Sequence, residues 1–387
     1  MKKICIVTAT RAEYGLLKPV IDKIHKSERV ELQLVVMGMH LSPEFGLTYK
    51  EIEGDGYPID QRIEMLLSSD TPTGIIKSMG VALIGFADYF AVKRPDIVVI
   101  LGDRYEMLMV ATSAMIARIP IAHLHGGEKT EGAVDEAIRH SITKMSQLHF
   151  TATEEYRRRV IQLGEQPDRV FNVGALGVEN ARKVSLLGKE ELEQQIGFRF
   201  AKPTIMVTYH PVTLETLTAR EQFAEILSVI DKHKEISVIF TKANADTDGR
   251  IINQMIDEYV GKNSDRCVAY ISLGQRRYLS ALQYVDAVLG NSSSGLIEVP
   301  SFHIPTINIG DRQRGRTCAK SVIHCRNTGQ EIDKALQMAL SEEFRENLST
   351  MDNPYEKEGT SDKIVETICD ALYNEIEMKK MFYDISV

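Results

Sequence analysis

Short apolar runs alternate with segments of helical periodicity along most of this chain, and this alternation restricts its fold more than any other feature. Runs too short and too β-branched for helices predict strands, and apolar residues three and four positions apart predict the helices between them. The first group of predicted strands is 2–7, 30–39, 97–101, 119–124, 148–153 and 170–173. Strands that alternate with helices form parallel sheets with both faces covered. This part of the chain is therefore predicted to be a doubly wound α/β domain.

The alternation breaks near Gly174, where a polar stretch without a strand begins, and it starts again after Pro203. A second group of strands is predicted at 204–209, 237–241, 268–271, 287–289, 306–309 and 322–324. A chain of 387 residues can form two domains of ordinary size. We predict two Rossmann-like α/β domains, residues 1–174 and 175–365, that face a cleft. Residues 366–387 are assigned to a C-terminal helix, starting near residue 361, that packs back on the first domain.

Charge and cysteine content exclude several classes of function. The net charge of −8, from 46 basic and 54 acidic residues, disfavours nucleic acid and anionic membranes as partners. The five cysteines are odd in number and include no C-x-x-C pair, which argues against a disulfide framework and a zinc site. The first apolar run is too short for a signal peptide, and no segment is expected to approach the roughly 18 apolar residues of a membrane span. We therefore expect a cytoplasmic protein.

Ligands of open α/β sheets bind beyond the carboxyl ends of the strands, so polar residues there are the first candidates for a site. Arg11 follows the first strand at the start of a helix, where a cation and backbone N–H groups favour an anion. A surface ion pair between Arg11 and Glu13 is the alternative. The chain has neither G-x-G-x-x-G nor a P-loop, which argues against a dinucleotide cofactor and ordinary kinase chemistry.

The densest group of ionisable residues lies between Leu101 and Ser146. Asp103 follows a strand and a glycine, a place suited to a general acid or base, although it could instead cap the next helix. His123 and His125 alternate along a strand with Glu128 just beyond, but no third metal ligand has suitable spacing, so no metal is predicted. Asp135 begins a helix, where an acidic residue also stabilises the helix dipole. Asp135 could therefore serve either stability or catalysis.

In the second domain, two strand ends carry candidate residues. His210 precedes a proline at the end of one strand, and an exposed loop histidine is its alternative interpretation. The run Gly-Asn-Ser-Ser-Ser-Gly at 290–295 precedes a helix, where N–H groups and hydroxyls suit a diphosphate. Glu298 lies one turn further on, within reach of a sugar hydroxyl pair. A serine-rich helix start also forms without a ligand.

Taken together and in this order, these residues resemble the UDP-N-acetylglucosamine 2-epimerases, in particular the hydrolysing branch of bacterial sialic-acid synthesis. The resemblance covers nearly the whole chain and rests on TATRAEYGLLKP, MGMH, LGDRYE, HGGEKTEG, DEAIRHSITKMS, GNSSSGLIEVPS and INIGDRQRGR. It implies the GT-B arrangement of two Rossmann domains, with the nucleotide held mainly by the second. It also implies conversion of UDP-N-acetylglucosamine and water to N-acetylmannosamine and UDP without a cofactor, in a homodimer or homotetramer.

The resemblance also implies roles for individual residues. Asp103 and Asp135 match acidic positions at the sugar, and His210 matches a histidine near the sugar or the phosphates. The substrate-binding positions that it implies are Arg11, Arg104, Asn244, Ser292, Ser293, Glu298 and Arg312, with Glu298 at the ribose. Several family members have Glu-Gly-Gly-Glu where this chain has His125-Gly-Gly-Glu128, and the spacing to Asp135 is one residue longer here. The role of the first Glu could pass to His125, Glu128 or Glu136.

Four alternative functions remain at this point. The same reaction could act on UDP-N,N'-diacetylbacillosamine, as in legionaminic-acid synthesis, because the sequence does not determine specificity at C4 and C6 of the sugar. A non-hydrolysing epimerase would keep UDP bound and release UDP-N-acetylmannosamine. A GT-B glycosyltransferase would need an acceptor, and a nucleotide-sugar sensor would bind UDP without turnover.

Overall fold

Two compact α/β units make up the structure, a computed structural model that describes residues 1–67, 69, 71–130, 134–201, 203–212, 218–243 and 248–385. Unit 1 comprises Met1–Glu128, Asp135–Asn180 and Tyr355–Val387, and unit 2 comprises Lys129–Val134 and Ala181–Pro354. The boundaries that the sequence predicts, at residues 174 and 365, remain predictions. Unit 1 takes its last segment from the C-terminal part of the chain.

Unit 1 is built on a seven-stranded parallel sheet in the order β3-β2-β1-β4-β5-β6-β7. The strands are β1 Lys2–Thr8, β2 Val30–Met37, β3 Gln61–Ile63, β4 Ile97–Leu101, β5 Ile121–Leu124, β6 Leu148–Thr151 and β7 Val170–Asn172. The first helices are α1 Arg11–His25, α2 Tyr49–Gly54, α3 Pro72–Lys93, α4 Tyr105–Ile116, α5 Asp135–Met145, α6 Glu154–Gln162 and α7 Leu176–Lys183. Helices cover both faces of the sheet, so β1 buries Ile4 and Ile6 in one core and Cys5 and Val7 in another.

Unit 2 has a six-stranded parallel sheet in the order β10-β9-β8-β11-β12-β13. Its strands are β8 Thr204–Thr208, β9 Ser237–Thr241, β10 Cys267–Tyr270, β11 Ala287–Gly290, β12 Thr306–Ile309 and β13 Val322–Cys325. Its helices are α8 Lys189–Ile196, α9 Ala219–Lys232, α10 Gly249–Lys262, α11 Gln275–Ala281, α12 Ser294–Ile297, α13 Gly329–Leu340 and α14 Glu342–Glu346. The predicted fold class, two doubly wound α/β domains, is confirmed.

The last helix, α15 Thr360–Tyr373, is shorter than predicted. The apolar periodicity continues to residue 378, but the helix ends where Glu375 takes a left-handed backbone conformation with φ of 57°. α15 itself packs against α1, both in unit 1. Residues 374–385, which we call the tail, continue without regular secondary structure, so the prediction of a helix through this stretch was wrong.

α3 contradicts the expectation that no segment approaches a membrane span. Its 22 residues are long and apolar enough to cross a membrane by length and composition. Within unit 1, α3 packs along α4 and buries Ala82, Phe86 and Phe90 in the core that α4 shares. Its other face, which includes Ile76, Ile84 and Val92, is exposed.

Candidate active site

Asp103 lies at a turn that a buried histidine holds in place. β4 ends at Leu101, and Gly102 makes the turn with φ of +80°. His123 is fully buried in β5, and its Nε2 atom is 2.8 Å from the carbonyl oxygen of Gly102. Burial lowers the pKa of His123 to about 3, so the ring is neutral and Nε2–H donates to this carbonyl. His123 therefore supports the turn of Asp103.

Arg139 is the centre of a hydrogen-bond network that joins three segments of unit 1. Its side chain is completely buried on α5. Nη2 donates to Oδ2 of Asp103, and Nη1 lies 2.8 Å from both the carbonyl oxygen of Glu128 and Oε2 of Glu136. A planar guanidinium can bond several acceptors in fixed directions, which a lysine ammonium does less well. One buried cation thus brings together the Asp103 turn, the Glu128 loop and the start of α5.

The loop after β5 places His125 against Glu128. Nδ1 of His125 is 3.2 Å from Oε1 of Glu128, which is only 3% exposed. Nε2 of His125 is buried and has no hydrogen-bond partner among the described residues. The backbone of His125 is left-handed, with φ of 63°, a conformation that is uncommon for residues other than glycine. Gly127 follows, and a Cβ there would lie 2.4 Å from the carbonyl oxygen of Tyr156.

The start of α5 carries Asp135 and Glu136, both half-buried. Glu136 accepts from Arg139, and its other oxygen is 3.1 Å from Nε2 of His140. Asp135 and Arg139 are one turn apart on α5, as are Glu136 and His140. Glu136 and His140 are in contact, and Arg139 bonds Asp103 in the core. Sequence spacing on a helix identifies neighbours on its surface and gives no signal for such a long-range partner.

Arg11 and Arg104, two of the predicted substrate-binding residues, both form ion pairs within unit 1. Arg11 begins α1, and its Nε is 2.6 Å from Oε2 of Glu51. Arg104 precedes α4 and bonds the buried Glu106 through Nε and Nη2, each at 3.2 Å. The arginines are 21% and 15% exposed, so each keeps a limited accessible surface for a ligand.

Glu13 is a buried carboxylate next to these arginines. It accepts hydrogen bonds from the N–H groups of Ala9 and Thr10, at 2.8 and 3.2 Å, and so caps α1. Its Oε1 atom has no partner among the described residues. Burial and the charge of Glu106 raise the pKa of Glu13 to about 7, although the two N–H groups and Arg104 act in the other direction.

We expect Glu13→Gln to flatten the pH dependence of the unfolding free energy. The native pKa of about 7 lies above the ordinary value of 4.5, so the folded state holds the proton more tightly than the unfolded state does. Stabilisation by this proton is complete below about pH 4.5 and is lost as the pH rises through 7. Urea unfolding at several pH values from about 5 to 8 measures the effect. The exposed Glu28→Gln is the control, and an equal fall in stability in wild type and Glu13→Gln would contradict the expectation.

In unit 2, Asn291 joins two loops that carry predicted site residues. The Asn291 side chain is fully buried and pairs with the backbone of His210: Oδ1 accepts from its N–H at 2.7 Å and Nδ2 donates to its carbonyl at 2.8 Å. The carbonyl of Asn291 accepts from Nη1 of Arg312 at 3.1 Å and from Gln313 at 2.8 Å. Ser292 follows directly. His210, the serine run and Arg312 are therefore held together, and Asn291 was missed because its role requires two distant loops.

The serine run leads into a short helix whose first residue is the third serine. α12 contains four residues, Ser294–Ile297, and Ser293 precedes it without making a side-chain cap. Glu298, 9% exposed, ends α12 instead of lying one turn into a longer helix. The Tyr278 hydroxyl is 2.6 Å from Oγ of Ser294, and burial and the charge of Glu298 raise the pKa of Tyr278. Ser292, Ser293 and Glu298 thus belong to one small segment of unit 2.

Two further predictions concern Asn244 and metal ligands. Asn244 lies outside the described residues, so its position is not part of the structure. Among the residues that the structure describes, no group of three or more His, Cys, Asp or Glu side chains is arranged to hold a metal ion. His125 and Glu128 contact each other as a pair.

Comparisons with known proteins identify the family. The family model described as UDP-N-acetylglucosamine 2-epimerase matches residues 22–369. The chain is 43% identical over 384 residues to the hydrolysing GDP/UDP-N,N'-diacetylbacillosamine 2-epimerase of Campylobacter jejuni, with 99% of each chain covered. It is 42% identical over 386 residues to the polysialic acid biosynthesis protein P7 of Escherichia coli, covering 100% of this chain and 98% of that one.

The fold is also similar to a solved structure from the same family. The UDP-GlcNAc 2-epimerase of Neisseria meningitidis, crystallised with UDP-GlcNAc, matches with a TM-score of 0.78 at 18% identity, covering 95% of this chain and all of that one. Likeness at this identity shows the fold, and the family model and the relatives above show the family. The chain therefore belongs to the UDP-N-acetylglucosamine 2-epimerase family, in its hydrolysing branch, and is an enzyme of that type.

Proposed function

We propose that this enzyme converts UDP-N-acetylglucosamine and water to N-acetylmannosamine and UDP. The observation that carries the proposal is the Arg139 network, which holds Asp103, the loop of Glu128 and the start of α5 around one buried cation. Acid and base groups held in fixed positions are what proton transfer at a sugar carbon requires. Membership of the hydrolysing branch supports the reaction type.

The proposed reaction is an elimination followed by a hydration, and it uses no cofactor. A base removes the proton from C2, the C2–H electron pair forms the C1=C2 bond, and the C1–O bond breaks with its electrons on the UDP oxygen. The products of this step are 2-acetamidoglucal and UDP. Water then adds its oxygen to C1, and a proton returns to C2 on the opposite face, which inverts that carbon.

Asp103, Glu128 and Asp135 are the proposed proton-transfer groups at the sugar. Asp103 receives a charge-assisted hydrogen bond from Arg139, which stabilises its negative charge and fixes its orientation. Glu128 is buried against His125, so a proton can be shared between a carboxylate and an imidazole within one pair. His125 would thereby supply the group that relatives with Glu-Gly-Gly-Glu place one position before the two glycines.

UDP is proposed to bind to unit 2. His210 and Arg312 lie at the Asn291 loop, where a cation and hydroxyls suit a diphosphate, and Ser292 and Ser293 follow in the same loop. Glu298 is the proposed partner of the ribose hydroxyls. Arg11, Arg104 and Asn244 are the remaining proposed substrate contacts.

A second substrate, UDP-N,N'-diacetylbacillosamine, is favoured by the names of two relatives. One is the Campylobacter jejuni enzyme, at 43% identity. The other is the hydrolysing UDP-N,N'-diacetylbacillosamine 2-epimerase of Legionella pneumophila, which is 36% identical over 341 residues. UDP-N-acetylglucosamine is supported by the name of the UDP-N-acetylglucosamine 2-epimerase of Neisseria meningitidis serogroup B, 31% identical over 342 residues, and the Escherichia coli relative, named for polysialic acid synthesis, supports a place in sialic-acid synthesis. Both candidates share the 2-acetamido group and differ at C4 and C6.

Product analysis in deuterated water tests the proposal and separates the substrates. NMR of each reaction is expected to show free sugar, UDP and deuterium at C2, because the returning proton comes from solvent. Turnover of UDP-N-acetylglucosamine at the higher kcat/KM supports our first choice, and preference for the bacillosamine sugar supports the second. UDP-N-acetylmannosamine as the product would indicate a non-hydrolysing epimerase, and C2 without deuterium would contradict the elimination.

We also propose that the enzyme works in the cytoplasm. All five cysteines are free in the structure, and three of them, Cys5, Cys267 and Cys369, are buried. Reduced, packed thiols are typical of proteins in reducing compartments.

We propose further that the chain assembles as a homodimer or homotetramer through the exposed face of α3. Ile76, Ile84 and Val92 are 67%, 68% and 79% exposed, and successive members lie eight residues apart on the exposed side of the helix. Contiguous exposed apolar surface is typical of interaction sites.

Ile84→Glu is therefore expected to lower the molar mass of the assembly in solution, because a buried charge without a partner weakens an interface. Light scattering after size exclusion gives the mass. Met338→Glu, a matched change at a 50% exposed residue on α13, is expected to leave it unchanged. An unaltered mass in Ile84→Glu would rule out this face as the interface.

A further inference from the structure

The tail, residues 374–385, is fixed to unit 1 near the end of α6. Its backbone bonds Gly164, with Tyr383 N–H donating to the Gly164 carbonyl at 2.9 Å. The Phe382 ring covers Gly164 so closely that a Cβ there would lie 2.3 Å from a ring carbon. The Lys144 ammonium lies 5.0 Å from the centre of the same ring. The tail is thus held by backbone, aromatic and cationic contacts to one place on the unit.

Glu165 anchors the charged part of this contact. It is 2% exposed and accepts hydrogen bonds from Nζ of Lys380 at 2.6 Å, Nζ of Lys144 at 2.6 Å and Nε2 of His149 at 2.9 Å. Burial alone would raise the pKa of Glu165, but these donors lower it to about 2. Lys144 belongs to α5 and Lys380 to the tail. The buried carboxylate therefore ties the tail to α5.

Lys380 also contacts the backbone of α5 directly. Its Nζ donates to the carbonyl oxygens of Lys144 at 3.0 Å, Ser146 at 2.6 Å and Thr143 at 3.4 Å. These carbonyls lie at the C-terminal end of α5. The last carbonyls of a helix have no partner within it, and a cation there also stabilises the helix dipole. The Lys380 side chain is 25% exposed. It is the group from the tail that completes this helix end.

The two ends of α5 are held by different groups. At its start, Asp135, Glu136 and Arg139 belong to the candidate site, and Arg139 bonds Asp103. At its end, Lys380 and Glu165 fix the helix against the tail. α5 has 11 residues, so its two ends are roughly 16 Å apart, and a hydrogen-bonded helix moves as a rigid body over that length.

We propose that Lys380 is a positioning residue for the reaction: by fixing the end of α5 it sets the position of Asp135 and Glu136 relative to Asp103. The proposal rests on the proposed function, because it assumes that these groups act on the substrate. A displacement of about 1 Å in a catalytic group can reduce the rate about 100-fold, so the position of α5 matters at this scale. Lys380 acts only through the helix.

Lys380→Met tests the proposal with wild type, Lys380→Arg and Lys379→Met as references. Methionine removes the cation but keeps a side chain of similar length, and Glu165 retains Lys144 and His149. We expect kcat for UDP release to fall about 10-fold or more, with KM and the Kd for UDP within about twofold of wild type. Lys380→Arg should recover most of the lost activity. Lys379, the exposed neighbour, should be replaceable without effect.

Two measurements distinguish positioning from a purely structural role. The first is kcat per UDP-binding site, a value that does not change when part of the protein is merely unfolded. If this value is the same in Lys380→Met as in wild type, the proposal is overturned. Amide hydrogen exchange is expected to become at least about fivefold faster in α5 while β1 and β4 keep wild-type rates. Equal acceleration throughout unit 1 would also overturn it.

The remaining outcomes are also decisive. If Lys380→Met does not bind UDP at all, Lys380→Gln replaces it, because glutamine keeps hydrogen-bond donors without the charge. The variant is then judged by the same kcat per UDP-binding site and the same hydrogen-exchange rates. If wild type releases no UDP from either candidate sugar, the proposed function fails and the positioning role fails with it. In that case hydrogen exchange still shows whether Lys380 holds α5, so the two failures are distinguishable.

Discussion

Asp103→Asn is expected to lower kcat for UDP release about 1000-fold, the range typical of a removed acid or base, while UDP binding stays within about twofold of wild type. Asparagine has nearly the same shape and can still accept a hydrogen bond from Arg139, so the turn after β4 should keep its conformation. What is lost is a group that can carry a proton and a negative charge. The residues proposed to bind UDP belong to unit 2, whereas Asp103 belongs to unit 1.

Steady-state kinetics and UDP titration calorimetry measure the two parts of this expectation. Asp168→Asn, an exposed residue of the same unit, is the matched control and should be fully active. A loss of UDP affinity as large as the loss of kcat would contradict the assignment, because it would place Asp103 at the nucleotide. Retention of activity would point to Glu128 or Asp135 as the essential acid.

Arg139→Met is expected to destabilise the protein by about 3–5 kcal/mol, the cost typical of removing one partner from a buried ion pair. The Arg139 side chain is completely buried, and its loss leaves Asp103, Glu136 and the carbonyl of Glu128 without their shared donor. Arg139→Lys should be intermediate, since an ammonium keeps the charge but cannot reproduce the forked geometry. Urea unfolding with an unchanged m-value gives the difference in free energy.

A double-mutant cycle shows whether Arg139 and Asp103 act together. Once Asp103→Asn has removed one of the charges that Arg139 compensates, Arg139→Met should cost at least about 1 kcal/mol less, because residues in one network are not additive. Arg158→Met, at a 78% exposed arginine of α6, is expected to change stability by less than about 0.5 kcal/mol. Additive free energies in the cycle would mean that the two residues are energetically independent.

Most of the fold could be predicted because most strands are short runs of buried, β-branched residues that can be recognised without knowing their partners. The buried β-branched runs at 97–101, 237–241 and 306–309 predict β4, β9 and β12 with the observed bounds. α2 and β3 were not predicted, because the polar stretch around them has no clear period. β3 is held by pairing with β2 and by contacts with α3, and α2 buries Ile52 in a core of unit 1. The end of α15 was misplaced because its apolar pattern continues into the tail, where the backbone is no longer helical.

Of the candidate site, only the residues at strand ends could be predicted from the sequence. Strand ends identify Asp103 and His125 in unit 1 and His210 in unit 2, since the residues that follow parallel strands lie at the carboxyl edge of their own sheet. The groups that hold these residues, such as Arg139 and Asn291, are buried and bond segments far apart in the chain. Their partners follow from tertiary packing, which local spacing does not encode. This is why a buried arginine on an amphipathic helix looks like an ordinary surface ion pair in the sequence.

The backbone at Gly290 fixes the positions from which two loops of unit 2 start. It pairs with Thr208, and a Cβ at position 290 would lie 1.8 Å from the Thr208 carbonyl oxygen, so no other residue fits without separating β8 from β11. The loops of His210 and Ser292 therefore start from a fixed common point. Substitutions in these loops can change the side chains that unit 2 presents to a ligand, but they leave unchanged the distance between the points where the two loops leave β8 and β11. Altering that spacing for a larger or smaller ligand would require a change in the sheet itself.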